Sequence, residues 1–122
     1  MNDLSEVVIW GTGSPRRELM HVDDLAAGVL FLLENENPPD WVNLGTGIDH
    51  SIQEIANLVK EIVGYEGRIS NDTSKPDGMP LKRLDVSLAE KMGWKAKISL
   101  DEGLLATYKD FCDSLASNKA RL

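Results

Sequence analysis

Residues 41–64, WVNLGTGIDHSIQEIANLVKEIVG, decide the fold class of this chain. The opening WVNL is predicted to be a buried strand that the following Gly-Thr-Gly run closes. Behind it, Ser51 and Glu54 have the spacing of a capping box, which marks the start of a helix, and Gly64 suits its C-terminal end. A strand, a turn and an amphipathic helix in this order predict an α/β fold. The apolar face of this helix is predicted to contain Ile52, Ile55, Ala56, Val59, Ile62 and Val63.

The N-terminal third continues the alternation of strand and helix. Glu6–Trp10 is a short β-branched run and is predicted to be a strand that opens into a glycine-containing loop. A helix is predicted to begin at Asp23 or Asp24, where a carboxylate serves as cap and complements the helix dipole. It stops at residues 37–40, NPPD. Its inward face is predicted to contain Leu25, Ala26, Val29, Leu32 and Leu33.

The C-terminal half is predicted to add a short strand and two helices around a polar loop. In order, these are a strand at 67–70, a loop at 71–80, a helix at 87–92 ended by Gly93, and a last helix that begins with the capping box of Ser99 and Glu102. The inward residues of the last helix are predicted to be Leu104, Thr107, Tyr108, Phe111, Cys112 and Leu115. The sum is a small mixed α/β domain with short strands and about four helices.

Composition and charge limit the class of protein. At 122 residues, with 42% hydrophobic and 27% charged residues, the chain has the size and balance of one globular domain. Its net charge of −7 argues against a nucleic acid partner, because affinity for nucleic acid comes from many Lys and Arg side chains. One cysteine and two histidines exclude an internal disulfide and a Cys-rich zinc site. No apolar run reaches the ~20 residues of a membrane span and no signal peptide is evident, so a cytoplasmic location without a membrane partner is expected.

Arg16 and Arg17 follow the run Trp10-Gly-Thr-Gly-Ser-Pro and are the only basic side chains among residues 1–59, which carry ten acidic ones. Paired cations on a loop whose glycines let a ligand approach the backbone are typical of phosphate or diphosphate binding. Arg17 is favoured as a ligand residue, because a structural arginine usually lies on a helix one turn from a carboxylate. In a second loop, Lys75-Pro-Asp-Gly, Asp77 is a candidate acceptor for hydroxyls or base edges, the alternative being an ordinary Asp-Gly turn.

No reaction centre is visible in the sequence. Arg16 and His50 occupy the positions where a dinucleotide fingerprint requires its third glycine, and there is no Walker loop, Gly-x-Ser-x-Gly elbow or Tyr-x-x-x-Lys pair. Cys112 falls on an apolar helix face and is predicted to be a core residue. His21, at a helix entrance, is predicted to be a structural hydrogen-bonding residue. We therefore expect no catalytic residue, no cofactor site and no metal site within this chain.

Five blocks together resemble a known family: WGTGSPRRE at residues 10–18, HVDD at 21–24, NLGTG at 43–47, SKPDGMP at 74–80, and Asp85. They are similar to the C-terminal part of the GDP-L-fucose synthases, extended short-chain dehydrogenases/reductases that convert GDP-4-keto-6-deoxy-mannose to GDP-L-fucose. The similarity runs from about residue 7 to about residue 111. The resemblance implies that Trp10, Arg17 and Asp77 contact the GDP-sugar, with Arg16 and Lys75 as secondary candidates.

The same resemblance implies what the chain lacks. In the family, the Rossmann half that binds NADP(H), the reductase residues and the Cys and His of epimerisation all precede the matching blocks. We therefore expect residues 1–116 to be the C-terminal substrate-binding lobe, inactive alone, followed by a polar tail at 117–122. Its partner is expected to be a GDP-sugar, and the surface left by the absent half is expected to support a homo-oligomer. Two alternatives stay open: a non-catalytic self-associating module, and the lobe of another nucleotide-sugar epimerase or dehydratase that uses UDP or dTDP.

Overall fold

The computed structural model describes residues 5–117 as a small mixed α/β unit, as the sequence predicts. Its helices and strands follow in the order β1 (Glu6–Trp10), β2 (Arg16–Arg17), α1 (Val22–Leu33), β3 (His50–Ser51), α2 (Ile52–Val63), β4 (Arg68–Asp72), β5 (Leu81–Lys82), α3 (Ser87–Met92) and α4 (Leu100–Ala116). Of the predicted tail, only Ser117 lies within the described residues. No helix in this part of the chain has both the length and the apolar character needed to cross a membrane.

Two small sheets determine which loops meet. β1 and β4 pair in parallel, from Glu6 opposite Arg68 to Trp10 opposite Asp72. In the second sheet β2 lies between β3, which is antiparallel to it, and β5, which is parallel. Because β1 leads into β2 and β4 leads into β5, both pairs of strands bring the connecting loops at residues 11–15 and 73–80 side by side.

The helices α2 and α4 begin where their sequences predict. The Ser51 hydroxyl accepts the N–H of Glu54, whose carboxylate accepts the N–H of Ser51. Ser99 and Glu102 make the same reciprocal pair at the start of α4. The two helices pack against each other. Of their predicted inward residues, only Val59, Val63, Thr107 and Phe111 are exposed, and the others, including Cys112, are half-buried.

The predicted strand at residues 41–44 is wrong. These residues belong to neither of the two sheets, and the Trp41 side chain is 85% exposed. An isolated extended segment has no ladder of backbone hydrogen bonds to stabilise it, so apolar composition alone does not make a strand. The segment nevertheless has contacts at its far end, because Asn43 donates its side-chain amide to the carbonyl of Asp85, at 3.0 Å.

The predicted cap and inward face of α1 are also wrong. The N-cap is His21, whose Nδ1 accepts the N–H of Asp23, in agreement with the structural role expected for that histidine. Asp24 is buried and accepts the N–H groups of Lys97 and Ile98 at 3.0 and 2.8 Å, so it fastens the segment before α4. The face predicted to be inward is mostly exposed, including Leu25, Ala26, Val29 and Leu33, while Leu32 is half-buried.

The exposure of this face is explained by how α1 packs in the described part of the chain. On its packed side, Gly28 meets the side chains of Leu44 and Trp94, and a Cβ there would lie 2.9 Å from both. Of the apolar residues Leu25, Ala26, Val29, Leu32 and Leu33 of α1, by contrast, none is buried. Periodicity reveals that a helix is amphipathic, but not whether the surface that covers its apolar face is present in the same chain.

The hydrophobic core is small for a chain of this length. Among residues 5–117, the buried apolar side chains are those of Pro15, Ala89 and Trp94. The accessible surface is 9108 Å², whereas a compact monomer of this size exposes about 6,500 Å². Exposed large apolar side chains occur along the whole described part of the chain, and the two most exposed are Trp41 and, on α1, Leu33.

Candidate functional site

Asp77 fastens the two neighbouring loops to each other. Its Oδ1 accepts the backbone N–H of Thr12 at 2.8 Å, and its Oδ2 accepts the Thr12 hydroxyl at 2.7 Å. The approach is close because Gly11 has no side chain: a Cβ there would collide with the Asp77 carboxylate. Gly11 also has a φ of +80°, which L side chains rarely adopt. The loops at residues 11–15 and 73–80 therefore form one surface, and we call these loops together with the adjoining Trp10 and Arg17 the loop face.

Trp10 and Lys75 lie together on the loop face. Trp10 ends β1 with its side chain 74% exposed, and its β4 partner is Asp72. The turn that follows Asp72 brings Lys75 back, so that its Nζ lies 5.7 Å from the centre of the Trp10 ring. This is a cation–π distance. Two predicted site residues that are 65 positions apart in the sequence are thereby neighbours.

Arg16 and Arg17 point in different directions because successive residues of a strand face opposite sides. Arg17 Nη1 donates to the carbonyl oxygens of Arg16 and Met79, at 2.6 and 2.7 Å. Among residues 5–117, no carboxylate lies within ion-pair distance of the Arg17 guanidinium. Arg16 instead pairs with Asp49 through Nε and lies 3.6 Å from Glu54. The loop face thus contains Arg17, and the opposite side contains Arg16.

Asp49 binds Arg16 on the side of β2 that is opposite to Arg17. The hydrogen bond from Arg16 lowers the pKa of the Asp49 carboxyl below its usual value, and Arg83, at 3.0 Å, contributes in the same direction. The side chain of Asp49 is 8% exposed, so two guanidinium groups converge on an enclosed carboxylate. This cluster joins β2, the loop before β3 and the segment after β5. It keeps β2, and with it Arg17, in position.

Glu18 is a residue that the sequence did not indicate as important. Its carboxylate accepts the backbone N–H groups of Thr46, Gly47 and Leu84, the last two at 3.0 and 2.7 Å. Partial burial raises the pKa of Glu18, but the backbone N–H donors together hold it below its usual value. The only sequence signal is the second Gly-Thr-Gly turn, whose N–H groups need an acceptor, and nothing there points to Glu18.

Glu18→Gln should remove part of the acid sensitivity of the fold. Because the folded-state pKa of Glu18 lies below its usual value of 4.5, the charged form stabilises the protein above that pH. This stabilisation is lost as the pH falls through the lowered value. Urea midpoints measured at pH 7 and pH 3 should differ less for Glu18→Gln than for the unsubstituted chain. An equal acid loss in both proteins would contradict this role.

The loop face presents groups that can bind a ligand. It offers two cations, an exposed indole and a carboxylate. Nearby in the sequence, Glu18 lines an open cleft of about 350 Å³ together with Leu44, Lys82 and Leu84. Within residues 5–117 no group of three or more His, Cys, Asp or Glu side chains is arranged to hold a metal ion. Arg17 and Lys75 are suited to phosphate, and Trp10 to a flat or apolar group.

Comparisons with known proteins give one family model and several relatives. The family model described as "NAD dependent epimerase/dehydratase family" matches residues 1–45. The chain is 49% identical over 118 residues to a protein of Oryza sativa subsp. japonica named "Probable GDP-L-fucose synthase 1", an alignment that covers 97% of this chain and 36% of that protein. The chain spans about a third of the length of the curated relatives it matches.

The chain is also similar to solved structures of a reductase and an epimerase. A GDP-mannoheptose C4 reductase from Campylobacter jejuni, solved with NADP bound, is 41% identical with a TM-score of 0.77, over 85% of this chain and 34% of that one. A UDP-glucose 4-epimerase from Thermotoga maritima, solved with UDP-glucose, is 32% identical with a TM-score of 0.78, over 90% of this chain and 36% of that one. Both are proteins that act on nucleotide sugars, and they differ in the base.

Proposed function

This chain belongs to the GDP-L-fucose synthase family, and from that premise we propose that it is the part of a GDP-sugar epimerase/reductase that binds the GDP-sugar. The observation that carries the proposal is the loop face itself. Trp10, Arg17, Lys75 and Asp77 come from two distant parts of the sequence and lie on one surface, where Arg17 has no acidic partner among residues 5–117.

Each residue of the loop face has a role that fits its chemistry. Arg17 binds the diphosphate with the planar fork of its guanidinium. Trp10 gives apolar contact to a ring of the ligand. Asp77 uses one acceptor site of each oxygen for Thr12, so it can still accept a hydrogen bond from a hydroxyl or from the base. Arg16 acts indirectly, because its ion pair with Asp49 holds β2 in place.

The chain binds and orients the substrate, and the chemical step belongs to the rest of a full-length relative. In such a protein NADP(H) would supply the hydride of the reduction. The residues of this chain do not fit that group: the third-glycine positions of a fingerprint are held by Arg16, which pairs with Asp49, and by His50 in β3. We therefore assign no catalytic residue to this chain and expect it to be inactive alone.

The exposed apolar surface supports the proposal that this chain packs against further polypeptide. The α1 residues Leu30 and Leu33 are 59% and 76% exposed, and Trp41 is 85% exposed. Surfaces of this kind mark contacts with other polypeptide. We propose that this surface packs against the remaining two-thirds of a full-length relative, which would also give residues 41–44 the strand partner they lack.

The base of the nucleotide is testable with the isolated chain. Titration calorimetry with GDP, UDP and dTDP should give binding with GDP preferred, in the micromolar to millimolar range, because half of the enclosing site is absent. A preference for UDP would indicate that the ligand is a UDP-sugar, such as the UDP-glucose in the structure of the epimerase from Thermotoga maritima. No binding of any of the three to a folded chain at millimolar concentration would contradict the proposed function.

A second candidate function is that of a non-catalytic module that self-associates, and the exposed face of α1 favours it. Two copies could cover each other's apolar stripe and so form a homo-oligomer. Light scattering after size exclusion separates the two candidates. A monomer that binds GDP supports the first, and a tight oligomer that is indifferent to nucleotide supports the second. Leu33→Glu should dissociate such an oligomer without altering the loop face.

A further inference from the structure

Lys75 is brought onto the ring of Trp10 by backbone contacts. The carbonyl oxygen of Asp72 accepts the N–H of Gly11 at 2.9 Å and the N–H of Lys75 at 3.2 Å. The Asp72 side chain accepts the N–H and hydroxyl of Ser74, which tightens the turn between them. Since Asp72 lies opposite Trp10, the turn returns the Lys75 ammonium to the exposed ring face, 5.7 Å from its centre.

Neither cation near this pair forms an ion pair with a described residue. Among residues 5–117, no carboxylate lies within ion-pair distance of Lys75 or of Arg17. The acidic group of the same loop, Asp77, is directed to Thr12. Arg17 donates to the carbonyl of Met79, two residues after Asp77. Lys75 and Arg17 are thus two cations of the loop face without an acidic partner among residues 5–117. Lys75 covers the Trp10 ring, which a bound ligand would need.

A lysine fixed over Trp10 would compete with the ligand for the ring face. A cation–π contact at an exposed site is weak, and the lysine side chain is a flexible stem with a compact charge, so the contact is easily exchanged. A phosphate oxygen is the stronger partner for an ammonium group. One movement of Lys75 therefore frees the ring face and supplies a second cation to the ligand.

We propose that Lys75 makes this exchange and thereby selects diphosphates over monophosphates: it covers Trp10 in the free protein and binds the second phosphate group once a ligand occupies the ring. This inference rests on the proposed function. The guanidinium of Arg17 can bind one phosphate group with two hydrogen bonds, and the Lys75 ammonium binds the second phosphate group. A monophosphate uses Arg17 alone and gains little from the exchange.

Calorimetric titration of the chain with GDP and with GMP tests the exchange. Lys75→Met, which keeps the stem and removes the charge, should weaken GDP binding about 5- to 10-fold and GMP binding less than about twofold. Lys75→Arg should restore most of the preference for GDP. Lys109→Met on the exposed side of α4 is the matched control and should change neither affinity. It changes the net charge by the same amount, at a residue outside the loop face.

The outcomes separate this inference from the function on which it rests. If the unsubstituted chain binds GDP and Lys75→Met keeps the same ratio of GDP to GMP affinity, the exchange is wrong and the proposed function stands. Equal losses of GDP and GMP affinity would make Lys75 a general phosphate contact and would also overturn the selectivity. If the unsubstituted, folded chain binds neither nucleotide, the proposed function itself fails.

Discussion

Arg17→Ala is expected to lower the affinity of the chain for GDP by about 10- to 100-fold. A hydrogen bond to a charged group is worth about 1.5–3 kcal/mol, and each 1.4 kcal/mol is a tenfold change in the dissociation constant. The guanidinium donates to two carbonyl oxygens and has no acidic partner in residues 5–117, so its remaining N–H groups are available to a phosphate. Calorimetric titration with GDP measures the effect.

Arg16→Ala is the matched control for this experiment. The two residues are adjacent in β2, carry the same charge and face opposite sides. Arg16→Ala removes the contact with Asp49 and should lower the thermal midpoint while changing GDP affinity much less than Arg17→Ala does. Equal losses of affinity in the two variants would mean that only the net charge matters, and would contradict the assignment of Arg17 as the diphosphate ligand.

Trp94→Ala should have the largest effect on stability. Trp94 is the largest of the few buried apolar residues in the described part of the chain, and its indole lies against Gly28 of α1. The backbone N–H of Trp94 donates to the carbonyl of Ala89 in α3, so this residue joins α3 to α1. Removing a buried aromatic side chain costs about 3–5 kcal/mol, which is much of the total stability of a small domain. The thermal midpoint should fall by roughly ten degrees or more, or the chain should be unfolded.

Trp41→Ala provides the comparison at the surface. The same side chain is deleted there from a position that is 85% exposed. Circular dichroism melting curves of the two variants should differ widely, with Trp41→Ala close to the unsubstituted chain. A small effect of Trp94→Ala would mean that the core lies elsewhere, and the account of α1 packing would then be wrong.

The starts of α2 and α4 were predictable from the sequence because a capping box is local. Ser51 with Glu54, and Ser99 with Glu102, satisfy their own backbone N–H groups within one turn, whatever surrounds them. The strand Glu6–Trp10 and the short helix ended by Gly93 were predicted from equally local signals. These elements account for most of the regular structure.

The failures at α1 and at residues 41–44 have a common cause. Both segments are apolar, and the sequence predicts that they are covered, but the covering surface is absent from residues 5–117. Asp24 shows the converse error, since a carboxylate at a helix start was interpreted as a cap although it binds N–H groups 73 and 74 residues away. Local patterns do not contain such long-range partners.

The sequence indicates the residues of the candidate site but not their arrangement. The sequence indicates Arg17 and Asp77 as ligand residues, and the resemblance adds Trp10. Neither reveals that the alternation of β2 separates Arg16 from Arg17, or that Glu18 fastens the turns behind them. Those facts depend on the pairing of β2 with β3 and β5, which no short motif encodes.

The central claim is that the loop face is the nucleotide site, and an NMR titration tests it most directly. Amide correlation spectra of the isotopically labelled chain are recorded as GDP is added. We predict shifts of the backbone amides of Gly11, Thr12 and Gly78 and of the indole N–H of Trp10, with the cleft between α2 and α4, near Leu104 and Phe111, unchanged. Shifts confined to that cleft, or none on the loop face at saturating GDP, would contradict the claim.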